Sequence, residues 1–427
     1  MPRQTSMTSS ATRFDNNMKV LHFITSIDSA DIYSEEYMSA LLRCMGTQAE
    51  VHLATFHSNN VVYIEQTELH FFDYPKNIID HTFEKVFTDL LNRLKPDIVH
   101  IHGCWDRTLW DVTRMATKGN IPVVLSPHGA LDPAILRTFF ITRRLPKLIA
   151  YQYRTILSAD VLLSSTLREE ENLKDLLLNC RTVVIPDPRL ATETDYLQVS
   201  IQLLKLYRKT IDTTCTYRSL DENEQHSIKT LLREGATNNE EPIQTEQQTI
   251  DLLNALSEKS WRKIFIISHD NHLEGIFDHA INRLGINPPT IDVSRIDRFD
   301  YIVKNSPIFL PDDKLLYINP LQKSKVGSIK EPTVKRLVFM LLNLRHLIKQ
   351  GDIKLYHLVQ LYKCMKYDNY DEDTFAQYMK SLRLKLFAEK AEILLQHFFG
   401  LTEGFMPIPA CAPQKAHVLI NKTIKTI

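Results

Sequence analysis

Apolar positions in the first 190 residues alternate between short continuous runs and helically spaced stretches. The runs KVLHFIT (19–25), DIVHIHG (97–103) and IPVVLS (121–126) have the length and composition of buried strands. Between them lie segments such as FEKVFTDLLNRLKP (83–96), in which apolar residues recur at three and four positions and predict a helix. Strands that alternate with helices in this way indicate a parallel, doubly wound α/β sheet over 18–190.

The pattern changes after about residue 190. The run WRKIFIISHDNHLEGIFDHAINRLGI (261–286) predicts a strand followed by a helix, with Ser268 or Asp270 as its N-cap. Two long stretches further on repeat apolar residues at helical spacing and end at glycine, which indicates a helical module. The predicted organisation is a disordered tail at 1–17, a Rossmann-like domain at 18–190, a helical segment and linker at 191–258, a small α/β unit at 259–330, a helical module at 331–406 and a tail at 407–427.

Composition and charge exclude several classes of protein. Equal numbers of basic and acidic side chains, 51 of each, give a formal net charge of zero and no global attraction for nucleic acid. The six cysteines contain no CxxC pair, which favours reduced thiols over a disulfide framework or a zinc site. No apolar run approaches the ~20 residues that span a bilayer, and the polar N-terminus lacks the apolar core of a secretory signal. We therefore expect a cytoplasmic protein that binds no nucleic acid.

Two histidine–glycine pairs stand where predicted strands end. HIHG (100–103) and SPHG (126–129) each follow a buried-type run, although the chain has only 11 glycines in 427 residues. Parallel sheets bind ligands beyond the carboxyl ends of their strands, so these two loops are the candidate site. The sequence contains no GxGxxG or Walker loop, and we predict no cofactor. The polar run ISHDNHLEG (267–275) is more typical of a helix cap than of a metal site, and no metal is assigned.

Four pieces of sequence in a fixed order resemble the N-terminal domain of family-four glycosyltransferases. They are DIVHIHGCWDRTLW, IPVVLSPHGALDP, the basic stretch RRLPKLIAYQYRTILSADVLLSST and VVIP, and the resemblance covers 18–190. Members of that family are retaining enzymes that use a nucleotide-sugar and have two Rossmann-like domains, the GT-B fold. The resemblance implies a GT-B-like α/β protein, with its second α/β unit reduced and a helical module added. It also implies a nucleotide-sugar as the donor substrate.

The resemblance also implies roles for individual residues. His128 would be catalytic, because a histidine at the cleft can hydrogen-bond a sugar hydroxyl or the developing charge of the leaving group. Gly129 would let the backbone approach the ligand. The substrate-binding residues would be His102, Gly103, Trp105, Asp106, Ser126, Gly129 and Asp132. The alternative for the two loops is a packed strand end with a hydrogen-bonded histidine. We expect His100 to be such a histidine within the sheet.

Two departures from the family pattern concern the donor. The loop after the first strand, SIDSADIYSEE (26–36), contains no glycine, and its acidic residues would repel a diphosphate. After VVIP the chain continues DPRLATETD, without the second Rossmann-like domain and its donor-binding residues. The donor half is therefore lost or rebuilt, with 261–286 as the candidate replacement.

A basic segment, 136–157, carries Arg143, Arg144 and Lys147 among aromatic and aliphatic residues. In the resembling family this region docks on the anionic inner membrane, where lipid-linked acceptors lie. Each basic residue near such a surface contributes about 1 kcal/mol. An ordinary solvated helix face is the alternative. The resemblance thus implies peripheral association with the inner membrane, and the C-terminal helices are candidates for binding a protein partner.

Two functions stay open at this point. The first is a glycosyltransferase-like enzyme of cell-surface polysaccharide assembly, which transfers a hexose from a nucleotide-sugar to a glycan or lipid-linked acceptor. The second is a non-catalytic relative that binds the acceptor or acts as a scaffolding subunit. The intact HIHG and SPHG loops favour the enzyme, whereas the missing donor signature and the glycine-free loop favour the subunit.

Overall fold

The computed structural model divides the chain into two compact units. It describes residues 18–28, 33–60, 62–77, 80–137, 142, 144–175, 179, 181–189, 195–300, 307–317, 319–408 and 413–424. The predicted tail at 1–17 and Arg143 lie outside these residues. The first unit comprises Met1–Thr214 and Asp297–Phe299, and the second comprises Cys215–Ile296 and Asp300–Ile427.

The first unit is built on a parallel sheet, as the sequence predicts. The described strands are β1 (Lys19–Ile24), β2 (Glu50–Phe56), β3 (Thr67–Phe72), β4 (Ile98–His102), β5 (Val123–Ser126), β6 (Val161–Ser164) and β7 (Thr182–Val184). They pair in the order β3-β2-β1-β4-β5-β6-β7, and every neighbouring pair is parallel. The order reverses between β1 and β4, which is the switch point where doubly wound sheets open a crevice for ligands. The Rossmann-like fold class is confirmed.

Helices cover both faces of this sheet. They are α1 (Ser39–Gly46), α2 (Thr82–Leu94), α3 (Arg107–Lys118), α4 (Pro133–Arg137), α5 (Leu145–Lys147), α6 (Tyr153–Ser158), α7 (Leu167–Asp175) and α8 (Tyr196–Thr213), with π-helical turns at Tyr33–Met38 and Leu148–Gln152. Alternate residues of a strand point to opposite faces. On one face Val20 joins a buried cluster with α1 and α8, and on the other Leu21 and Phe23 pack with α2 and α3.

The first unit extends beyond the boundary that the sequence predicted at residue 190. Helix α8 buries Val199, Leu203 and Tyr207, which recur every four residues, in the same cluster as β1 and α1. The predicted helical segment at 191–258 is therefore split between the two units. Its apolar stripe belongs to the sheet because a helix must bury that stripe against a partner.

The second unit contains helices and no strand among its described residues. Its α-helices are α9 (Glu222–Ala236), α10 (Gln247–Asn254), α11 (Glu258–Asp270), α12 (Glu274–Leu284), α13 (Pro320–Gly327), α14 (Pro332–Gln350), α15 (Leu355–Tyr367), α16 (Glu372–Ser381), α17 (Lys385–Phe399) and α18 (Pro413–Ile424). Short 3₁₀ turns lie at Tyr217–Ser219, Val293–Arg295 and Glu403–Phe405. The helical module is thus confirmed, whereas the C-terminal tail predicted at 407–427 contains a helix, α18.

The prediction of a small α/β unit at 259–330 is wrong, since this range contains no strand among its described residues. The run expected to form a strand is helix α11, which buries Trp261, Ile264 and Ile267 on one side. A spacing of three residues fits a helix, but the β-branched isoleucines favour a strand and led to the wrong prediction. The N-cap of α11 is Ser257, whose hydroxyl accepts a hydrogen bond from the Ser260 amide at 3.1 Å. Helix α12 has no side-chain cap, so neither predicted capping residue acts as one.

The packing of α8 predicts that the first unit depends on it. Replacing Leu203, which is fully buried, by alanine should lower the free energy of unfolding of the first unit by about 2–5 kcal/mol. The matched variant Leu197→Ala, on the same helix but 48% exposed, should change it by less than about 0.5 kcal/mol. Urea unfolding of both variants measures the difference, and equal effects would show that α8 does not pack on the sheet.

Candidate functional site

The HIHG and SPHG loops lie side by side at the carboxyl edge of the sheet. His102 ends β4 beside Ser126 at the end of β5, which confirms the prediction that the two loops share one edge. The Gly103 amide donates to the Ser126 carbonyl at 2.8 Å and so ties the loops together. Gly103 and Gly129 have φ of +101° and +76°, values that favour glycine.

Two residues with side chains also adopt left-handed backbone conformations in these loops. Trp105 has φ of +69° and His128 has φ of +51°. Each such residue costs about 1–3 kcal/mol, and strain of this kind clusters at functional sites. The backbone therefore holds Trp105 and His128 in place at some cost to stability.

Three histidines form a hydrogen-bonded line that ends at His128. His22 Nδ1 lies 2.9 Å from His102 Nε2, and His102 Nδ1 lies 3.1 Å from His128 Nε2. The line arises because His22 of β1 and His102 of β4 project from the same face of neighbouring parallel strands. His22 and His102 are buried, and His128 is half-buried at the end of the line.

The line couples the tautomers of its members. A neutral imidazole carries one N–H, so each nitrogen–nitrogen contact needs one donor and one acceptor. If His22 donates to His102, then His102 donates to His128; in the reverse arrangement His128 is the first donor. His22 Nε2 is buried without a hydrogen-bond partner among the described residues. The proton position on His128 is therefore linked to a histidine deep in the sheet.

His100 is held within the sheet, as the sequence predicts. Its Nε2 lies 2.6 Å from the Ser126 hydroxyl, and its Nδ1 lies 2.5 Å from the hydroxyl of Tyr207 on α8. Ser126 is 1% exposed. The structure therefore does not bring the Ser126 side chain to the surface, and its hydroxyl is used inside the protein.

A cavity of about 430 Å³ opens beside His128, Gly129 and Asp132. The residues that complete its lining follow β6 and β7: Ser165, Thr166, Arg168, Glu169, Asp187 and Arg189. The Glu169 carboxylate accepts hydrogen bonds from the Gly129 amide at 2.6 Å and the Ser165 amide at 2.8 Å. Glu169 thus fixes the SPHG loop to the loop that follows β6.

Acidic side chains of the cavity are held by neighbouring donors. Asp132 accepts from the Ala134 amide at 2.8 Å and from Asn172 Nδ2 at 3.1 Å. Asp187 accepts from Nε of Arg189 at 3.0 Å and also from Nη2. Burial alone would raise the pKa of Asp187, but its hydrogen bonds and ion pair with Arg189 outweigh burial and lower that pKa. Both carboxylates are therefore fixed in direction before any ligand arrives.

An aromatic side chain completes the wall behind His128. The ring of Tyr37 meets the His128 ring edge-on at 5.8 Å between centroids. Arg189 lies over the Tyr37 ring at 4.8 Å from its centroid. The histidine is therefore packed on one side by Tyr37 and hydrogen-bonded on another by His102.

The structure does not bring Trp105 and Asp106 to the cavity lining. The Trp105 indole N–H donates to the Ala130 carbonyl at 2.9 Å, and Arg144 lies over its ring at 5.2 Å. Asp106 caps α3 by accepting from the Thr108 amide at 2.8 Å, and it accepts from the Tyr74 hydroxyl at 2.9 Å. Their described contacts hold the HIHG loop in place, and a direct role in substrate binding stays a prediction.

Sequence reasoning missed the residues after β6 and β7. Glu169, Asp187 and Arg189 stand in runs, SSTLREE and VVIPDPR, that have the composition of an ordinary helix start and turn. The available signal was positional: both runs follow strands of the same parallel sheet, whose carboxyl ends must share one edge with HIHG and SPHG.

Burial keeps the site histidines neutral at pH 7. It lowers the pKa of His22 to about 3, and it lowers the pKa of His128 to about 4 although Asp187 acts in the opposite direction. At neutral pH each ring therefore offers one N–H donor and one bare nitrogen acceptor. In this neutral state, the direction in which the N–H groups of the histidine line donate can reverse without adding a charge.

These shifts predict that the first unit loses stability in mild acid. In the unfolded chain the histidines protonate near pH 6.5, whereas the fold resists protonation down to about pH 4 for His128 and about pH 3 for His22. The unfolded state therefore binds more protons in this window. The free energy of unfolding should be highest above pH 6.5 and should fall by up to about 1.4 kcal/mol per pH unit for each histidine below it.

Urea unfolding across a pH series, followed by tryptophan fluorescence, measures this loss. The variant His22→Leu removes one buried group and should flatten the pH dependence. The matched variant His57→Gln alters an exposed histidine outside the line and is the control. A slope that is the same in wild type and His22→Leu would contradict the assignment.

Comparison with known protein families supports the resemblance found in the sequence. Residues 34–188 match the model described as Glycosyltransferase Family 4. No curated protein matches the chain. The matched range contains β2 to β7 and every residue of the cavity lining except Arg189. The match therefore assigns residues 34–188 to a family-four glycosyltransferase N-terminal domain.

Proposed function

We propose that the cavity beside His128 binds a sugar of a glycan or lipid-linked acceptor in cell-surface polysaccharide assembly. The observation that carries this proposal is the fixed set of hydrogen-bonding groups around a cavity of about 430 Å³. Sugars present many hydroxyls, each of which both donates and accepts. A rigid array of carboxylates, a neutral imidazole and guanidinium groups matches them without reorganisation on binding.

The charges in the cavity favour a sugar over a nucleotide diphosphate. Its lining contains three carboxylates, Asp132, Glu169 and Asp187, and two guanidinium groups, Arg168 and Arg189. Arg189 is already paired with Asp187. A diphosphate would meet an excess of negative charge, whereas hydroxyls can donate to the remaining lone pairs of the carboxylates.

The proposed role of His128 follows from its neutral ring and its hydrogen bond to His102. A hydroxyl that enters the cavity can donate to the imidazole in one tautomer and accept from it in the other. When transfer takes place, charge develops on the reacting oxygens, and a hydrogen bond from a held donor stabilises it. His102 and His22 act as positioning residues, because they set which tautomer His128 presents.

A second candidate function is an acceptor-binding subunit that does not itself transfer sugar. Two observations favour it. The described residues of the second unit form helices and loops without a strand, so the Rossmann-like donor domain of the family has no counterpart among them. The loop after β1 also contains Asp28, whose carboxylate accepts a hydrogen bond from Asn60 Nδ2 at 3.0 Å and would repel a donor diphosphate. Asp31 of that loop lies outside the described residues.

Calorimetry against acceptor glycans and nucleotide-sugars tests the proposed site. Acceptor sugars should bind to the whole chain, whereas uridine, guanosine and adenosine diphosphate sugars should bind with dissociation constants above ~1 mM. His128→Ala should weaken acceptor binding by about tenfold, the loss of one hydrogen bond of roughly 1.4 kcal/mol. Glu169→Gln should weaken it as well, because the amide has one carbonyl acceptor for the two backbone N–H groups that Glu169 holds.

A matched control and an assay of transfer separate the two functions. Glu171→Gln changes an exposed side chain two residues after Glu169 on α7 and should leave acceptor binding intact. Micromolar affinity for a nucleotide-sugar together with transfer would establish the enzyme. Acceptor binding without transfer would establish the subunit. If no glycan binds and His128→Ala changes nothing, the cavity is not a sugar site.

We further propose that the segment from α5 to α6 meets an anionic membrane surface. Ile149, Tyr153 and Leu157 stand four residues apart and are 68%, 44% and 48% exposed, which forms an apolar stripe. Arg144 and Lys147 precede this stripe in the sequence, and Lys147 Nζ donates to the Trp105 carbonyl at 3.2 Å. No helix in the described part of the chain meets the length and apolarity that a membrane crossing requires. The proposed contact is therefore interfacial.

Liposome flotation tests this surface. The wild type should bind vesicles that contain anionic lipid, and binding should fall as salt shortens the Debye length below ~10 Å. Ile149→Ser with Leu157→Ser should weaken binding, because the apolar stripe is lost. The matched control Leu197→Ser has the same exposure as Leu157, 48%, and should have no effect. If the wild type does not bind anionic vesicles at low salt, the segment from α5 to α6 is an ordinary solvated helix face.

A further inference from the structure

A second histidine cluster lies at the other end of the sheet from the cavity. His52 of β2 pairs in register with Glu68 of β3, and His70 follows two residues later on β3. Since residues two apart on a strand share a face, His52, Glu68 and His70 project together from one side of the sheet. His52 and Glu68 stand toward the amino ends of their strands, whereas His128 follows the carboxyl end of β5.

The three side chains are spaced as metal ligands are. His52 Nδ1 lies 3.2 Å from His70 Nε2 and 3.4 Å from Glu68 Oε2, and His70 Nε2 lies 3.8 Å from Glu68 Oε1. Zinc bound tetrahedrally at about 2.1 Å keeps neighbouring ligand atoms about 3.4 Å apart. One ligand atom from each of the three residues lies within 4.8 Å of the other two, so the two imidazole nitrogens and the Glu68 carboxylate have the dimensions of a metal site before any metal is bound.

A fourth residue prepares His52 to act as a ligand. The Glu50 carboxylate, two residues before His52 on β2, lies 3.1 Å from His52 Nε2. Glu50 is held in turn by Lys19 Nζ at 3.0 Å. A metal-binding histidine commonly donates its other ring N–H to a carboxylate, which fixes the tautomer and leaves the first nitrogen bare. Glu50 does this for His52, and the bare Nδ1 faces His70 and Glu68.

The accessibility of the cluster suits an exchangeable metal. The His52 side chain is 4% exposed and the His70 side chain 11%, whereas that of Glu68 is 64% exposed. The histidines are thus held by packing, and the carboxylate side is open to solvent. Three protein ligands with water at the fourth position form a common zinc arrangement. Imidazole with carboxylate also suits other first-row divalent cations, with affinities in the Irving–Williams order.

We propose that His52, His70 and Glu68 bind a divalent transition-metal ion of the Zn²⁺ class, with Glu50 as the positioning residue of His52. β3 is the last strand in the order of the sheet, paired only with β2 among the described strands. The bound ion links β2 to β3 by side chains in addition to the backbone ladder. Because the ion binds the folded sheet and not the separated strands, metal binding stabilises this edge.

Metal titration of the full chain, after dialysis against a chelator, tests the proposal. Zn²⁺ should bind with micromolar affinity in competition with a chromogenic chelator, and it should raise the melting temperature. Amides of β3 should exchange more slowly with Zn²⁺ than without it. Co²⁺ in place of Zn²⁺ should give the visible absorption of a four-coordinate site with nitrogen and oxygen ligands.

Variants distinguish this site from other histidines of the chain. His70→Ala and Glu68→Gln should each lower Zn²⁺ affinity by tenfold or more, and Glu68→Gln changes a side chain that is 64% exposed. Glu50→Gln removes no ligand yet should lower affinity by about 10- to 100-fold. His57→Ala, just beyond the carboxyl end of β2, should leave affinity unchanged.

Two results would overturn the proposal. One is the absence of Zn²⁺ binding at micromolar concentration in the wild type, which would leave His52 and His70 as a hydrogen-bonded pair. The other is binding that survives in both His70→Ala and Glu68→Gln, which would place the ion elsewhere in the chain. Neither result depends on the sugar site, because no variant touches it.

Discussion

The first unit depends on one constraint: two neutral imidazoles that face each other can share only one proton. Parallel pairing of β1 with β4 and of β4 with β5 brings His22, His102 and His128 into a line with nitrogen–nitrogen distances of 2.9 and 3.1 Å. Burial of these rings in the sheet disfavours the charged imidazolium form and lowers the pKa of His22 to about 3 and that of His128 to about 4. Burial therefore keeps His128 neutral, the line couples its tautomer to those of His102 and His22, and the cavity is built around that neutral ring.

Local sequence patterns predicted the sheet and the position of its loops. Apolar runs such as the one that ends at Ser126 have few structural alternatives, and histidine–glycine pairs at strand ends mark the ligand edge of a parallel sheet. His100 was also predicted correctly, because its alternation with His102 placed it on a buried strand. These features are local, so the amino-acid sequence alone contains them.

Features that arise from long-range pairing were not predictable in the same way. Glu169 reaches the Gly129 amide across 40 positions of sequence, and the contact of His52 with Glu68 and His70 depends on the register of β2 against β3. Sequence reasoning accordingly assigned no metal. The prediction for α11 failed for a different reason. Its isoleucines fit the periodicity of a strand as well as that of a helix, and burial against neighbouring helices decided in favour of the helix.

Nitrogen-15 NMR of the histidine side chains tests the central claim most directly. The account predicts that the rings of His22, His102 and His128, identified by single substitutions, stay neutral from pH 7 down to about pH 5 and show the nitrogen shifts of hydrogen-bonded tautomers. It also predicts that a substitution of His22 shifts the resonances of His128, since the tautomers are coupled through His102. A His128 ring that titrates near pH 6.5 and ignores the substitution of His22 would contradict the account.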